Sequence, residues 1–272
     1  MCEPDARSRG AGFCRHQGAT VDKFTHCEDT AKNLKPFANV EDVSDADATC
    51  ASGKDRLIRV FELSYDCLRK KINGGSIRVD NEASLQLHFA AILKLVGELH
   101  ELDRHEYFSI DLEVPVNGAF IKSGSSKARV DIVFSYNNDI MKQRSSCAVE
   151  LKFFKKENQR EPNNRYDVFS DIHNLENYGN IADCCFMVVA TNHEHYISQK
   201  EYSSGTAEFD FRDGTAYEAG TELTYRTGTP YGDSITLKRS YAFRWDKNPG
   251  RLNFLKLEVD PISKKMTYPL GA

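Results

Sequence analysis

From about residue 55 onward the chain switches between two hydrophobic periods, and the order of the switches predicts a fold. Leu57, Ile58, Phe61, Leu63, Tyr65, Cys67 and Leu68 recur at helical spacing and stop before Asn73-Gly74-Gly75, where glycine ends a helix. A second helix opens at Asn81, a residue suited to an N-cap, and carries Leu85, Leu87, Phe89, Ile92, Leu93, Leu95, Val96 and Leu99. Its apolar positions run widely round the helix, so burial on more than one side is expected. Period two then takes over. Residues 108–116 alternate, with Pro115 and Asn117-Gly118 closing the run, and residues 128–136 follow, turned by Asn137-Asn138-Asp139. Residues 146–154 form a third strand, 165–178 a third helix, and 184–191 an almost wholly apolar run of the kind buried on both sheet faces.

This order is helix, strand, strand, strand, helix, strand, which implies a mixed sheet covered by helices, an α/β (α+β) protein. Residues 200–233, rich in Gly, Thr, Tyr and acids, read as an irregular excursion. Residues 234–245 and 252–259, joined by Lys247-Asn248-Pro249-Gly250, predict a C-terminal hairpin. Residues 1–53 hold no period of 3.6 or 2 and read as a poorly ordered extension. The expected organisation is that extension followed by one domain at 54–272, with its core at 80–191 and a C-terminal elaboration at 192–272.

At 40% hydrophobic and 28% charged residues, the 272-residue chain has the composition of a soluble globular protein. No apolar run reaches the roughly 18 residues of a membrane span, and the N-terminus lacks a signal-peptide profile, so a cytoplasmic protein with no membrane partner is expected. The net charge of −4 gives no global case for nucleic acid, which leaves that case to local basic patches. Eight cysteines contain no Cys-x-x-Cys, and Cys14, His16, His26 and Cys27 do not reproduce a common zinc spacing.

Chemistry enters in the third strand. Cys147-Ala148-Val149-Glu150-Leu151-Lys152-Phe153-Phe154 carries a carboxylate and an amine two positions apart, hence on one face, with Val149, Leu151 and Phe153 on the other. A lone Glu-x-Lys is usually a surface ion pair of little consequence. This one is the only acidic-x-Lys triplet in the chain, and it has company. Asp131 lies inside the apolar strand 128–136, Glu82 opens the second helix, and Gln86 follows Glu82 one turn later. Three carboxylates and a lysine from one helix and two strands make a hard-oxygen pocket suited to Mg²⁺ or Mn²⁺. Such a pocket supports phosphodiester hydrolysis. Asp111 and Glu113, at i, i+2 on the first strand, read as a solvated face, and His88, His100 and His105 as ordinary helix residues.

With Glu82 on the first core helix, Asp131 on the second strand and Glu150-Leu151-Lys152 on the third, residues 80–191 resemble the PD-(D/E)xK nuclease superfamily, the restriction-endonuclease-like fold. The resemblance implies that Asp131 and Glu150 ligate the metal directly, that Glu82 acts on its shell, and that Lys152 orients the attacking water. It departs at Val130, where the motif has proline. It also implies a metal-dependent DNA endonuclease of restriction or defence type and, by family habit, a homodimer. Lys155, Lys156, Arg160 and Arg165, with Gln86, are the candidate contacts to nucleic acid beside this pocket. Lys238, Arg239, Arg244, Lys247 and Arg251 form a second basic cluster, interleaved with Tyr241, Phe243 and Trp245 that serve either a groove or the core. Two rival readings remain: a catalytically silent member of the fold that binds nucleic acid or protein, and an RNA-directed nuclease.

Overall fold

The structure, a computed structural model, describes residues 52–116, 128–158 and 160–262. Residues 1–51 of the expected extension, with its Cys and His residues, lie outside them; its last two residues, Ser52 and Gly53, belong to the start of the first helix, and the described residues all belong to one compact unit, Ala48–Ala272. Helix α1 spans Gly53–Asn73, beginning four residues ahead of Leu57, its first apolar position, because Ser52 and Asp55 form a reciprocal capping box. Helix α2 spans Glu82–Glu98 and is capped by Asn81, whose side chain accepts from Ser84 N at 2.8 Å. It buries Leu85, Phe89, Ala90, Ile92 and Leu93 but leaves Leu87 and Leu95 more than 60% exposed. Burial on several sides, expected from the breadth of its apolar surface, is therefore corrected to burial on one. Gly97 sets how close α2 sits to the sheet, since a Cβ there would lie 2.4 Å from the Phe108 ring.

Strands β1 (Glu106–Val116), β2 (Ala128–Asn138) and β3 (Gln143–Phe154) form an antiparallel meander. Helix α3 (Glu161–Glu176) then crosses over to β4 (Cys184–Thr191), which pairs parallel with β3. Helix α3 begins four residues before its apolar pattern because Pro162 is tolerated in a first turn, where its missing N–H has no partner to lose. A one-turn helix α4 (His195–Ser198) follows β4. Strand β10 (Asn253–Val259) adds antiparallel to β4, and β9 (Trp245–Asp246) closes a mixed six-stranded sheet in the order β1-β2-β3-β4-β10-β9.

Each face of the sheet has its own core. Cys147, Val149, Leu151 and Phe153 of β3 face α1 and α2, where the Phe61 ring stacks on Phe186 at 3.6 Å. Ala148 and Phe154 face the other side, where Phe169 of α3 meets Phe209, Phe211, Tyr217 and Phe243. The stretch 200–233 is irregular, as its composition implies, yet Phe209 and Phe211 are fully buried, so it supplies core rather than surface. Its short strands β5 (Ala216–Tyr217) and β6 (Glu222–Leu223) pair with β8 (Tyr241–Ala242) and β7 (Ile235–Thr236) respectively.

The expected hairpin is thus corrected. Only Trp245 and Asp246 pair with β10, and 234–245 breaks into three short pieces. The cause is Glu176, the last residue of α3 and fully buried. Its Oε1 accepts from the consecutive N–H groups of Lys238 and Arg239 at 2.8 and 2.9 Å, and from Tyr241 OH at 2.8 Å. Two successive amides turned to one carboxylate cannot continue a strand ladder. Glu176→Leu is expected to lower the free energy of unfolding by about 3 kcal/mol, since it strands the buried Tyr241 hydroxyl and two part-buried amides. Urea denaturation checks this, and an unchanged midpoint would remove Glu176 as the anchor of this segment.

Candidate active site

The β2–β3 ladder runs from Asn138 opposite Gln143 to Ile132 opposite Val149, and the candidate acids gather where it ends. Asp131 is the next residue of β2. Its Oδ2 accepts from the N–H of Leu151 at 2.6 Å, so a carboxylate stands where a strand partner's carbonyl would be. Glu82 comes in from the start of α2. The residue as a whole is exposed, but its Oε2 is drawn toward β3 and accepts from Phe153 N at 3.3 Å. Glu150 and Lys152 share the face of β3 that looks at α3. Glu150 is only 1% exposed, and Tyr178 OH donates to its Oε1 at 3.4 Å. The four sequence-predicted residues thus meet at one end of β3.

Electrostatics registers the crowding. Burial pushes the Asp131 carboxyl up to about 6; Lys152 and the Leu151 N–H oppose the rise, and Glu82 and Asp171 add to it. Burial likewise raises Glu82, against the pull of Lys152 and the Phe153 N–H. For Lys152 burial pulls the other way, but the carboxylates of Asp171, Glu82, Asp131 and Glu150 outweigh it and hold the ammonium well above its ordinary range. Four carboxylates therefore face one amine. Like charges held this close retain an excess of negative potential that a cation relieves.

Two acids of α3 went unread in the sequence. Asp171 is ion-paired with Lys152, and Asp167 lies one turn earlier, raised by its burial. The signal for Asp171 was present: it shares a stripe with Leu175 and Tyr178 at i, i+4 and i+7, a carboxylate on a buried face. Glu113 is exposed, as expected of a solvated face, but it does more than that. Leu112 pairs with Ile132 and Val114 with Val130, and between those pairs Glu113 takes φ 53°, a left-handed conformation that costs an ordinary residue energy. Gln86 ties the break together: its Nε2 donates to Asp131 O at 2.7 Å and to Glu113 Oε1 at 3.1 Å. Gln86 thus positions the Asp131 backbone from within the protein.

The basic candidates divide. Lys156 and Arg160 are exposed at the loop leading into α3, and the Lys155 amine lies 5.9 Å over the Phe153 ring. Arg165 is corrected. It is 1% exposed, donates to Thr206 O, Phe209 O and Thr206 Oγ1 at 2.7 to 2.9 Å, and stacks on Tyr202 at 3.6 Å. It anchors the 200–212 segment and has no face toward solvent. In the second cluster Tyr241, Phe243 and Trp245 are all under 8% exposed, which assigns those aromatics to the core.

No family model, curated protein or solved structure matches this chain. What the site can do follows from its own groups. Among the described residues no three His, Cys, Asp or Glu side chains close into a metal cage, and no helix is long and apolar enough to cross a membrane. The chemistry of the donor set is that of a hard-cation site: Glu82, Asp131 and Glu150 offer carboxylate oxygens, with more negative charge than Lys152 balances. One oxygen each of Asp131 and Glu82 is already oriented by a backbone amide, as ligating carboxylates are.

Proposed function

We propose that this chain is a divalent-metal-dependent nuclease of restriction-endonuclease-like fold that hydrolyses phosphodiester bonds in DNA. The observation that carries the reading is the meeting of Glu82, Asp131, Glu150 and Lys152 at the open end of β3, from three separate elements. A surface ion pair has no need of such a gathering, and buried like charges are costly unless something uses them. A helix-strand-strand-strand-helix-strand order with a parallel β3–β4 pair supports the same reading.

Asp131, Glu150 and Glu82 would hold Mg²⁺ or Mn²⁺. The bound ion supplies a more acidic water and charge stabilisation at the phosphate. The protein's own groups do the rest. The Lys152 ammonium donates toward the attacking water or a phosphate oxygen and offsets charge that develops there. The amides of Leu151 and Phe153 fix Asp131 and Glu82 so that neither must reorganise during reaction. Lys155, Lys156 and Arg160 hold the phosphate backbone beside the site, which makes binding salt-dependent.

Incubation with plasmid and linear DNA in Mg²⁺, against EDTA and against Glu150→Gln, tests the proposal. Mg²⁺-dependent cutting lost in EDTA and reduced at least about 100-fold in the variant is expected. Intact DNA with wild-type protein, or equal cutting by Glu150→Gln, would reject it.

A further inference from the structure

The ion pair between Lys152 and Asp171 joins β3 to α3 across the middle of the site. Lys152 is 18% exposed and Asp171 only 7%, so both charges are largely withdrawn from water. The Lys152 amine has four carboxylates within electrostatic reach, and it is ion-paired with Asp171, the acid from α3. It makes a second bond to its neighbour's carbonyl, Leu151 O, at 3.2 Å. Two fixed acceptors define a direction for an otherwise flexible four-carbon side chain.

The face of α3 makes Asp171 the acid suited to this. Asp167, one turn before it, is bonded to Tyr231, and Tyr178, two turns after it, is bonded to Glu150. Asp171, between them, is ion-paired with the lysine. A carboxylate from a rigid helix keeps the amine beside the ligands without taking up a ligand position.

Resting on the nuclease reading, we infer that Asp171 is the positioning residue of the site: it holds the Lys152 amine in place beside Glu150 and Asp131. It touches neither metal nor substrate, and its effect on cleavage passes through Lys152.

Two measurements test this together. In the first, full-length wild type, Asp171→Asn and the control Glu176→Leu are treated with an amine-acylating reagent at one pH, and Lys152 is followed by peptide mass spectrometry. The control lies on the same helix and weakens the fold without touching Lys152. Asp171→Asn is expected to react at least about tenfold faster than wild type, with Glu176→Leu near the wild-type rate. An unchanged rate in Asp171→Asn, or an equal rise in Glu176→Leu, would overturn the inference. In the second, Asp171→Asn is expected to lower kcat at least about tenfold with KM within about twofold, and Asp171→Glu to recover part of the loss. A fall carried by KM, or no recovery with glutamate, would also overturn it. If wild-type protein cuts no DNA, the nuclease reading fails by itself, and the acylation rates still decide whether Asp171 holds Lys152.

Discussion

Asp131→Asn is expected to reduce cleavage by about 1,000-fold or more while leaving the metal-free protein at least as stable as wild type. The two effects separate because asparagine keeps the shape and can still accept from Leu151 N–H, which Asp131 does now at 2.6 Å. What it loses is charge. The Asp131 carboxyl is raised from its usual 3.8 to about 6, so the folded protein binds its proton more tightly than the unfolded chain does. The stability associated with that proton is fully present below pH about 4 and is lost as pH rises through about 6. The shift is worth about 3 kcal/mol at most against the fold at neutral pH. Asparagine removes that slope. Urea denaturation from pH 4 to pH 8 should therefore show wild type losing ground that the variant keeps. Isothermal titration with Mg²⁺ or Mn²⁺ should show binding in wild type and none in the variant. Wild-type binding by the variant would exclude Asp131 as a ligand, and a steep stability loss would make it structural.

The elements that could be read in advance are those whose burial follows a simple period. β3 exposes one residue type to α1 and α2 and another to α3, so Val149, Leu151 and Phe153 separate from Glu150 and Lys152 as alternation requires. β4, almost wholly apolar, is buried along its whole length because both faces of the sheet are covered. The segment 234–245 could not be read that way. Its alternating Ile235, Leu237, Tyr241 and Phe243 are all buried, but Glu176, some 60 positions earlier, captures its amides and bends it. Local pattern holds no trace of so distant a partner. The breadth of α2 misled for a related reason, since hydrophobicity reports what can be buried and only packing decides what is.

At the site the same distinction applies. Glu82, Asp131, Glu150 and Lys152 were legible because a charge inside an apolar period is a local anomaly. Asp171 is such an anomaly on a helix, where a stripe of three or four positions tolerates one acid without breaking the pattern. The Glu113 kink and the Gln86 bridge depend on backbone conformation, which residue types alone do not specify. Arg165 was misplaced because arginine is mostly exposed, and only the carbonyls of Thr206 and Phe209 explain its burial.

Lys152→Met should be the most damaging single change, ending detectable cleavage and destabilising the fold in a pH-dependent way. Methionine keeps the length and apolar stem of lysine, so the loss isolates the charge. In catalysis the Lys152 ammonium stands among Glu82, Asp131, Glu150 and Asp171, and removing it should lower kcat by about 1,000-fold or more. In stability, Asp171 would be left 7% exposed without its ion-pair partner, which costs about 3 kcal/mol once the surrounding acids are ionised. The sign with pH follows from the groups around it. The Lys152 pKa is raised in the folded state, so its contribution is present throughout the neutral range and is lost only above its already high folded pKa. The neighbours Asp131, at about 6, and Glu82, also raised, take up protons as pH falls, leaving less negative charge for the lysine to offset. The variant should therefore lie close to wild type near pH 5 and fall well below it at pH 8. Paired urea titrations at the two pH values measure this directly. A deficit that is equal at both, or larger at pH 5, would mean that Lys152 acts through packing and not through its charge.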